Sequence, residues 1–551
     1  GGLFAAREFA QPGQCGIHVR HKMTDQNQYD VIVIGSGLGG LTTASILAKL
    51  HGKRVLVLER HYVIGGLTHV FRRPGNQEWD VGIHYIGEVG EGSTMRAIFD
   101  FITDNQLEWA QMPDEFDKFV YPDLTFAQKS DRKSFKADLK AQFPDEATGI
   151  DGYFADLYLM KKWNYFRLLA EGNTGVLRWF FKRQQAKFDD LALAFTADVL
   201  DRHFNDPKIK AVVASQWGDH GLPPSKSAFA SHALIVNHYI HGGWYPVGGA
   251  SKIADFVVPI IEAAGGKVLI NHEVTQILTE GNKAIGVEVL QKKGKGGELT
   301  RFHAPEIVSN AGAYLTYDRF LPPELGADIA RELAPMVPKT TTVVLYLGLN
   351  KGPETFGFKG ENHWIFDSYD HESYFDSEGA ISGPAKGCYL SFPSLKNPDS
   401  VTHTAEVIGF VNYAHFRKWA DEPWKKRGQE YEDFKNRIAD NLLALVEKTY
   451  PGFCDLIAYR ELSSPLTTEH FTGSPNGAIY GMGSTPERYR NPNLAVKTPV
   501  KNLTLTGADA FVFGVGGPLI AGVASAGVLS GPFGFFRNWR EIMKYKKPRK
   551  S

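Results

Sequence analysis

"YDVIVIGSGLGGLTTASILAKL", residues 29–50, carries the pattern on which the fold turns. Val31 to Ile34 form an unbroken β-branched run, as a parallel strand buried on both faces requires. Gly35, Gly37 and Gly40 then spell G-x-G-x-x-G, and Leu41 to Leu50 repeat apolar residues at helical spacing. A second apolar run, "RVLVLE", follows, and Glu59 closes it 24 residues beyond Gly35. Each residue type has a physical task. Gly35 permits a tight turn, Gly37 lets the backbone approach a pyrophosphate, and Gly40 packs helix against strand. An acid about 20 residues on meets the ribose hydroxyls of a dinucleotide. The helix N-terminus adds unpaired N–H groups and the positive end of its dipole. Glycines alone would say little; strand, glycines, helix, second strand and terminal acid in this order specify a dinucleotide site.

Three further glycine segments extend the pattern. "ERHYVIGGLTHVFRR" places Gly65 and Gly66 soon after Glu59, a pair that lets a second loop meet the same cofactor. "GGWYPVGGASKIADFVVPIIEAAGGKVLINHEVTQI" reads as a glycine turn, an amphipathic helix, a turn and a strand ending near Val274. "KNLTLTGADAFVFGVGGPLIAGVASAG" reads as a strand, a glycine loop and a helix beginning near Pro518, proline being favoured in the first helical turn. One cofactor is grasped by four segments spread over the chain.

Composition bounds the rest. With 551 residues, 43% hydrophobic and 22% charged, the chain can bury a large core and holds more than one domain or a heavily inserted fold. Basic and acidic residues balance at 61 each, so no global charge steers it to nucleic acid. Cys15, Cys388 and Cys454 are odd in number and far apart, which fits neither a disulfide framework nor a metal cluster and matches a reducing, cytoplasmic setting. Residues 1–22 lack the patterning that follows and are set aside as a leader or appended segment. Ala510 to Phe536 holds no charged residue and is long enough for a membrane span, but its seven glycines call for turns and close backbone approach inside a protein.

The fingerprint, the GG pair, "PVGG…GG" and "TGADA…GVGG" together resemble the FAD-binding flavoprotein family that contains phytoene desaturases and carotenoid isomerases. "FRRPGNQEWDVGIHYIGEVG", "SQWGDHGLPP", "HYIHGGWYPVGG" and "GSPNGAIYGM" look most like its retinol saturase branch. The resemblance spans about Tyr29 to Arg537. It implies an α/β fold in which a split Rossmann-like FAD-binding domain (29–100, 242–312 and 500–537) carries an inserted α+β substrate domain (101–241 and 313–499), followed by a basic tail, 538–551. It also implies that Gly35, Gly37 and Gly40 face the pyrophosphate, Glu59 the adenosine ribose, and Gly65 and Gly66 the phosphate side. The backbone of Val274 would meet adenine, Asp509 the ribityl or phosphate, and Gly507, Gly516 and Gly517 the cofactor's other end. "GADAF" departs from the family pattern, with its acid two residues after Gly507.

By the same resemblance "DVGIHYIG" lies beside the reacting ring, which makes His84 and Tyr85 candidates for proton transfer. Histidine, with an ordinary pKa near 6.5, gives or takes a proton near neutrality; orientation of the cofactor is the other role open to the pair. His238 and Tyr239, before the next glycine turn, are placed to meet substrate. His220, His232, His238 and His241 share one stretch, but their spacing matches neither H-E-x-x-H nor a helical pair, so no metal is expected. No second nucleotide fingerprint appears. Electrons would therefore pass to or from NAD(P)H bound transiently, a quinone or a redox protein. "YLMKKWNYFRLLAEGNTGVLRWFFKRQQAK" and the tail mix aromatics with cations, as segments at a bilayer interface do. The resemblance thus implies an FAD oxidoreductase, peripheral to a membrane, that saturates a carbon–carbon double bond of a lipophilic polyene, retinoid or carotenoid-like. Desaturation and reduced-flavin cis–trans isomerisation are close variants, and a non-catalytic prenyl-lipid escort is the alternative from another class.

Overall fold

The computed structural model describes residues 22–23, 29–293, 296–376 and 380–546. The leader reading falls almost wholly outside them, as does the end of the basic tail.

The opening stretch folds as its pattern dictates. Val31–Ile34 is a strand with every residue buried, Leu38–His51 a helix, and Val55–Leu58 a second fully buried strand. The helix stops at Gly52, which takes the left-handed conformation (φ 59°) and returns its N–H to the last turn. Five parallel strands form one sheet, in the order Lys267–Leu269, Val55–Leu58, Val31–Ile34, Glu306–Ser309 and Leu503–Leu505. The two central apolar runs sit in the middle because only there are both faces covered. Each fully buried Val, Ile or Leu contributes about 1.5–3 kcal/mol through removal from water.

The segment after the "PVGG" turn differs from its sequence expectation. The helix Lys252–Ala263 is present, with Pro259 inside it. Two strands follow instead of one: Lys267–Leu269 joins the parallel sheet, and His272–Glu280 opens an antiparallel meander with Lys283–Lys293 and Gly296–His303. Asn271 separates them at φ 56°, a left-handed conformation that asparagine tolerates and that turns the chain from one sheet to the other. Val274 therefore lies early in the second strand, not at a strand end.

A mixed seven-stranded sheet runs in the order Ile457–Ser463, Thr340–Leu349, Thr404–Asn412, Gly387–Ser391, Asn362–Phe366, Glu115–Tyr121 and Leu124–Lys129. One face packs under the long helix Gly428–Thr449 in a hydrophobic core of its own. The helices Arg132–Gln142, Ala147–Glu171, Gly175–Gln185 and Phe229–Tyr239 lie between the two sheets in sequence.

The uncharged 510–536 stretch contains the helix Gly516–Leu529, which starts two residues before Pro518. It packs directly on Leu38–His51: a Cβ at Gly522 would lie 2.5 Å from Thr42 Cβ and 2.8 Å from the Gly39 carbonyl oxygen. Thr43 Oγ1 donates to that same carbonyl at 2.8 Å. Glycine is what lets the two backbones meet. Among the described residues no helix is long and apolar enough to cross a membrane.

Candidate active site

A cavity of about 840 Å³ opens at the carboxyl ends of the parallel strands, where open α/β sheets bind ligands. Gly35, Gly37, Glu59, Gly65, Gly66, Val274, Gly507 and Asp509 all line it. Gly35 sits at φ 92° and so turns the chain where other residues would be strained. The two glycine pairs touch: a Cβ at Gly66 would stand 2.9 Å from Gly37 Cα. Glu59 is buried. Its Oε2 accepts from the Ser36 N–H (2.9 Å) and hydroxyl (2.6 Å), and its Oε1 accepts from the His61 N–H (2.8 Å). A carboxylate offers about four acceptor positions, so capacity remains toward the cavity. Asp509 accepts from the Ala313 N–H at 2.8 Å and the Met482 N–H at 2.7 Å, tying three loops together at the cavity wall.

Three predicted cofactor residues lie elsewhere. A Cβ at Gly40 would be 2.4 Å from the Gly35 carbonyl oxygen, one at Gly517 1.9 Å from the Val512 oxygen, and one at Gly516 2.6 Å from Met95 Cε. All three serve close packing behind the wall, and Gly514, Val515 and Pro518 line the cavity in place of the GG pair. Sequence reasoning passed over Asn310. Its side-chain amide occupies the space where Cβ atoms on Gly37 (2.7 Å), Gly39 (2.8 Å) and Gly507 (2.4 Å) would stand, so one residue gauges the closeness of three loops.

A second, smaller cavity of about 130 Å³ shares Leu67, Thr68, Tyr346, Gly514 and Val515 with the first. Its wall is aromatic, with Trp217, Trp364, Phe366, Tyr374 and Phe410, and His84, Asp219 and Tyr480 are among the polar residues that line it. His84 Nδ1 lies 2.6 Å from the fully buried Glu406 Oε2. Tyr85, its neighbour, lines neither cavity. Its ring stacks on Tyr239 (centroids 4.1 Å apart), and its hydroxyl stands 3.0 Å from Asp117 Oδ2 and 3.0 Å from Asp219 Oδ2. Burial and the two carboxylates push the Tyr85 phenol well above its usual range.

His238 is likewise occupied. Its Nε2 accepts the Gly87 N–H at 2.8 Å, while Nδ1 faces Glu88 Oε2 at 3.4 Å, so the ring pins the "GIHYIG" segment to the end of a helix. Tyr239 is buried behind Tyr85. His220 and His232 are buried and pushed down to about 3 by loss of solvent, and both are therefore neutral. Of the four candidates for chemistry, His84 lines the aromatic cavity, and Tyr85, His238 and Tyr239 line neither of these two cavities. Among the described residues no His, Cys, Asp or Glu group is arranged to hold a metal.

Beneath Tyr85 lies a charged cluster that the sequence did not announce. Asp117 accepts from Asn362 Nδ2 (2.8 Å) and Gln216 Nε2 (2.7 Å), and burial raises it to about 7. Lys396, lowered to about 8 by burial, donates to the His84 carbonyl (2.8 Å), to Ser391 Oγ (2.6 Å) and to Asn362 Oδ1.

The model of the "Flavin containing amine oxidoreductase" family matches residues 38–527. The chain belongs to this family. An all-trans-retinol 13,14-reductase from Danio rerio is 33% identical over 539 residues, covering 91% of this chain and 86% of that protein. Prolycopene isomerase 2 of an Oncidium hybrid cultivar is 26% identical over 475 residues, covering 84% and 76%. Among solved structures, putrescine oxidase superposes with a TM-score of 0.58 at 14% identity, covering 92% of this chain and 99% of that one.

As a member of the flavin-containing amine oxidoreductase family, the chain is an oxidoreductase and its cofactor is FAD. Its residues fit that group: glycine backbone where a side chain would fill the phosphate path, a free acceptor on Glu59, and the N-terminus of a 14-residue helix with no acid in its first turn. The fold is the split α/β FAD-binding type that the family resemblance implies.

Proposed function

We propose that this FAD oxidoreductase saturates a carbon–carbon double bond of a lipophilic polyene, of the retinoid or carotenoid-like class. One observation carries the reading: an aromatic cavity branches directly from the cofactor cavity and shares its wall. A conjugated hydrocarbon chain suits stacked aromatic walls, and the polar groups there can fix its orientation. Bound FAD supplies the hydride chemistry. The protein's own residues would exclude water, align the chain and provide a proton. The retinol reductase relative favours saturation, and the prolycopene isomerase relative keeps isomerisation as the alternative outcome.

The proposed domain division is supported by strand origin. All five parallel strands come from 29–100, 242–312 and 500–537, and all seven of the large sheet come from 101–241 and 313–499. Attachment to a membrane surface is supported by the helix Gly175–Gln185, which buries none of its residues. The electron donor is proposed as NAD(P)H, a quinone or a redox protein, bound transiently.

Anaerobic incubation of the photoreduced holoprotein with a panel of retinoids and carotenoids, followed by product analysis, tests the reading. Saturation yields a product heavier by two hydrogens. A product of unchanged mass and altered geometry would replace it with isomerisation, and no product from any polyene would reject both.

A further inference from the structure

The Tyr85 hydroxyl holds one hydrogen and stands 3.0 Å from two carboxyl oxygens, Asp117 Oδ2 and Asp219 Oδ2. It can donate to only one of them. The other short oxygen–oxygen contact needs a second proton, carried by a carboxyl, because two carboxylates facing one phenol oxygen would leave lone pairs opposed. Which acid carries it follows from their other partners. Asp117 already receives N–H groups from Asn362 and Gln216, which favour its ionised form. Asp219 has the phenol on one side and the aromatic cavity on the other.

We propose that Asp219 is protonated in the resting protein, donates to the Tyr85 oxygen while Tyr85 donates to Asp117, and is the acid that delivers the proton in polyene saturation. The delivery half rests on the functional reading above; the protonation half does not. Asp219 and His84 are the acidic or basic side chains on the aromatic cavity wall, and of the two Asp219 is the one in hydrogen-bond contact with Tyr85, while His84 Nδ1 lies 2.6 Å from Glu406 Oε2. The buried cation beside the site, Lys396, is shared by Glu406, Asp117, Asp80 and Asp219, so it cannot balance a second negative charge on the pair, and Tyr239, Tyr389 and Tyr480 add only neutral phenols. Burial and the neighbouring Asp117 push Asp219 well above the carboxylate range.

In the step, the Asp219 O–H bond breaks and a C–H bond forms at one alkene carbon. With FAD bound and reduced, the cofactor would supply the hydride and its two electrons to the other carbon. The π bond is consumed, the product gains two hydrogens, and Asp219 is left as a carboxylate that water reprotonates when the product leaves. Tyr85 touches no reacting atom in this scheme. It is a positioning residue that keeps the proton on Asp219.

Infrared spectroscopy of the FAD-loaded protein reads the stored proton without turnover, as a protonated-carboxyl carbonyl stretch that shifts in D₂O. Asp219→Asn, which keeps shape and a donor toward Tyr85, should remove one such band and leave flavin occupancy intact. It should also lower saturation by about 10² to 10⁴, the usual worth of a general acid. Tyr85→Phe should keep the band but move it, since Asp219 loses its acceptor; this variant and the wild-type D₂O shift remain readable if Asp219→Asn does not fold. An unchanged set of carboxyl bands in Asp219→Asn, or wild-type saturation rates in that variant, would overturn the proposal. A band present in the wild type and lost in Asp219→Asn, in a protein that saturates no polyene, would support the protonated carboxyl and sink the functional reading instead.

Discussion

Gly37 and His232 show how far single residues can be read. Gly37 belonged to a recognisable motif, and its constraint is now concrete: a Cβ there would press on the Asn310 amide at 2.7 Å. Gly37→Val should yield protein without flavin, detected as loss of flavin absorbance after purification; retention of full occupancy would refute the phosphate-loop assignment. Asn310 carried no such motif, because its importance lies in three loops that meet only in the folded chain. His232 was legible only as a histidine on an apolar helix. It is buried, its Nε2 lies 2.7 Å from the Tyr153 hydroxyl, and burial holds its pKa at about 3. A histidine depressed in the fold contributes stability above its unfolded pKa, near 6.5, and loses it as pH falls toward the folded value. Relative to His232→Phe, the wild type should lose about 1.4 kcal/mol per pH unit below about pH 6. Urea unfolding of both proteins from pH 7.5 to pH 4.5 measures this, and parallel curves would exclude a buried neutral His232.

Elements were legible where local pattern and tertiary placement agree. The first strand, the fingerprint helix and the second strand stand where the sequence puts them, because central parallel strands are apolar throughout and glycine marks each end. The seven-stranded sheet escaped notice. Its strands carry charge in their interiors: Asp117 lies in Glu115–Tyr121 and Glu406 in Thr404–Asn412, both fully buried. Those residues break the apolar run by which a buried strand is recognised. The same two carboxylates build the polar floor beneath His84 and Tyr85, so the features that hid the sheet are those that equip the site. "GIHYIG" was likewise legible as a segment near the chemistry but not in its division of labour. His84 lines the aromatic cavity, whereas Tyr85 lies behind its wall, where its hydroxyl joins Asp117 and the cavity-lining Asp219.

At the scale of the whole molecule, a chain of zero formal charge has no long-range pull toward anionic lipid, so any membrane contact must come from a local patch. The helix Gly175–Gln185 supplies one. Val176, Trp179 and Phe180 are 80%, 61% and 45% exposed, and large side chains left in water at this density mark an interaction surface. Phe181 meets Phe536 with ring centroids 6.3 Å apart, which joins the C-terminal helix Gly534–Met543 to the same face. On this proposed surface Lys182 and Arg183 of the first helix and Arg537 of the second would meet lipid headgroups, whereas Arg178 is paired with Glu171 and Arg540 with Glu541. A polyene is stored in the bilayer, so a protein that takes one up gains by resting there. Trp179→Ala combined with Phe180→Ala removes two side chains worth about 1.5–3 kcal/mol each on leaving water, and should weaken binding to vesicles containing phosphatidylserine by about a hundredfold or more. High salt should weaken the wild type further by screening the cations. Sedimentation with vesicles, checked against flavin absorbance to confirm an intact fold, measures both effects. If the double variant sediments like the wild type, this face is not the docking surface.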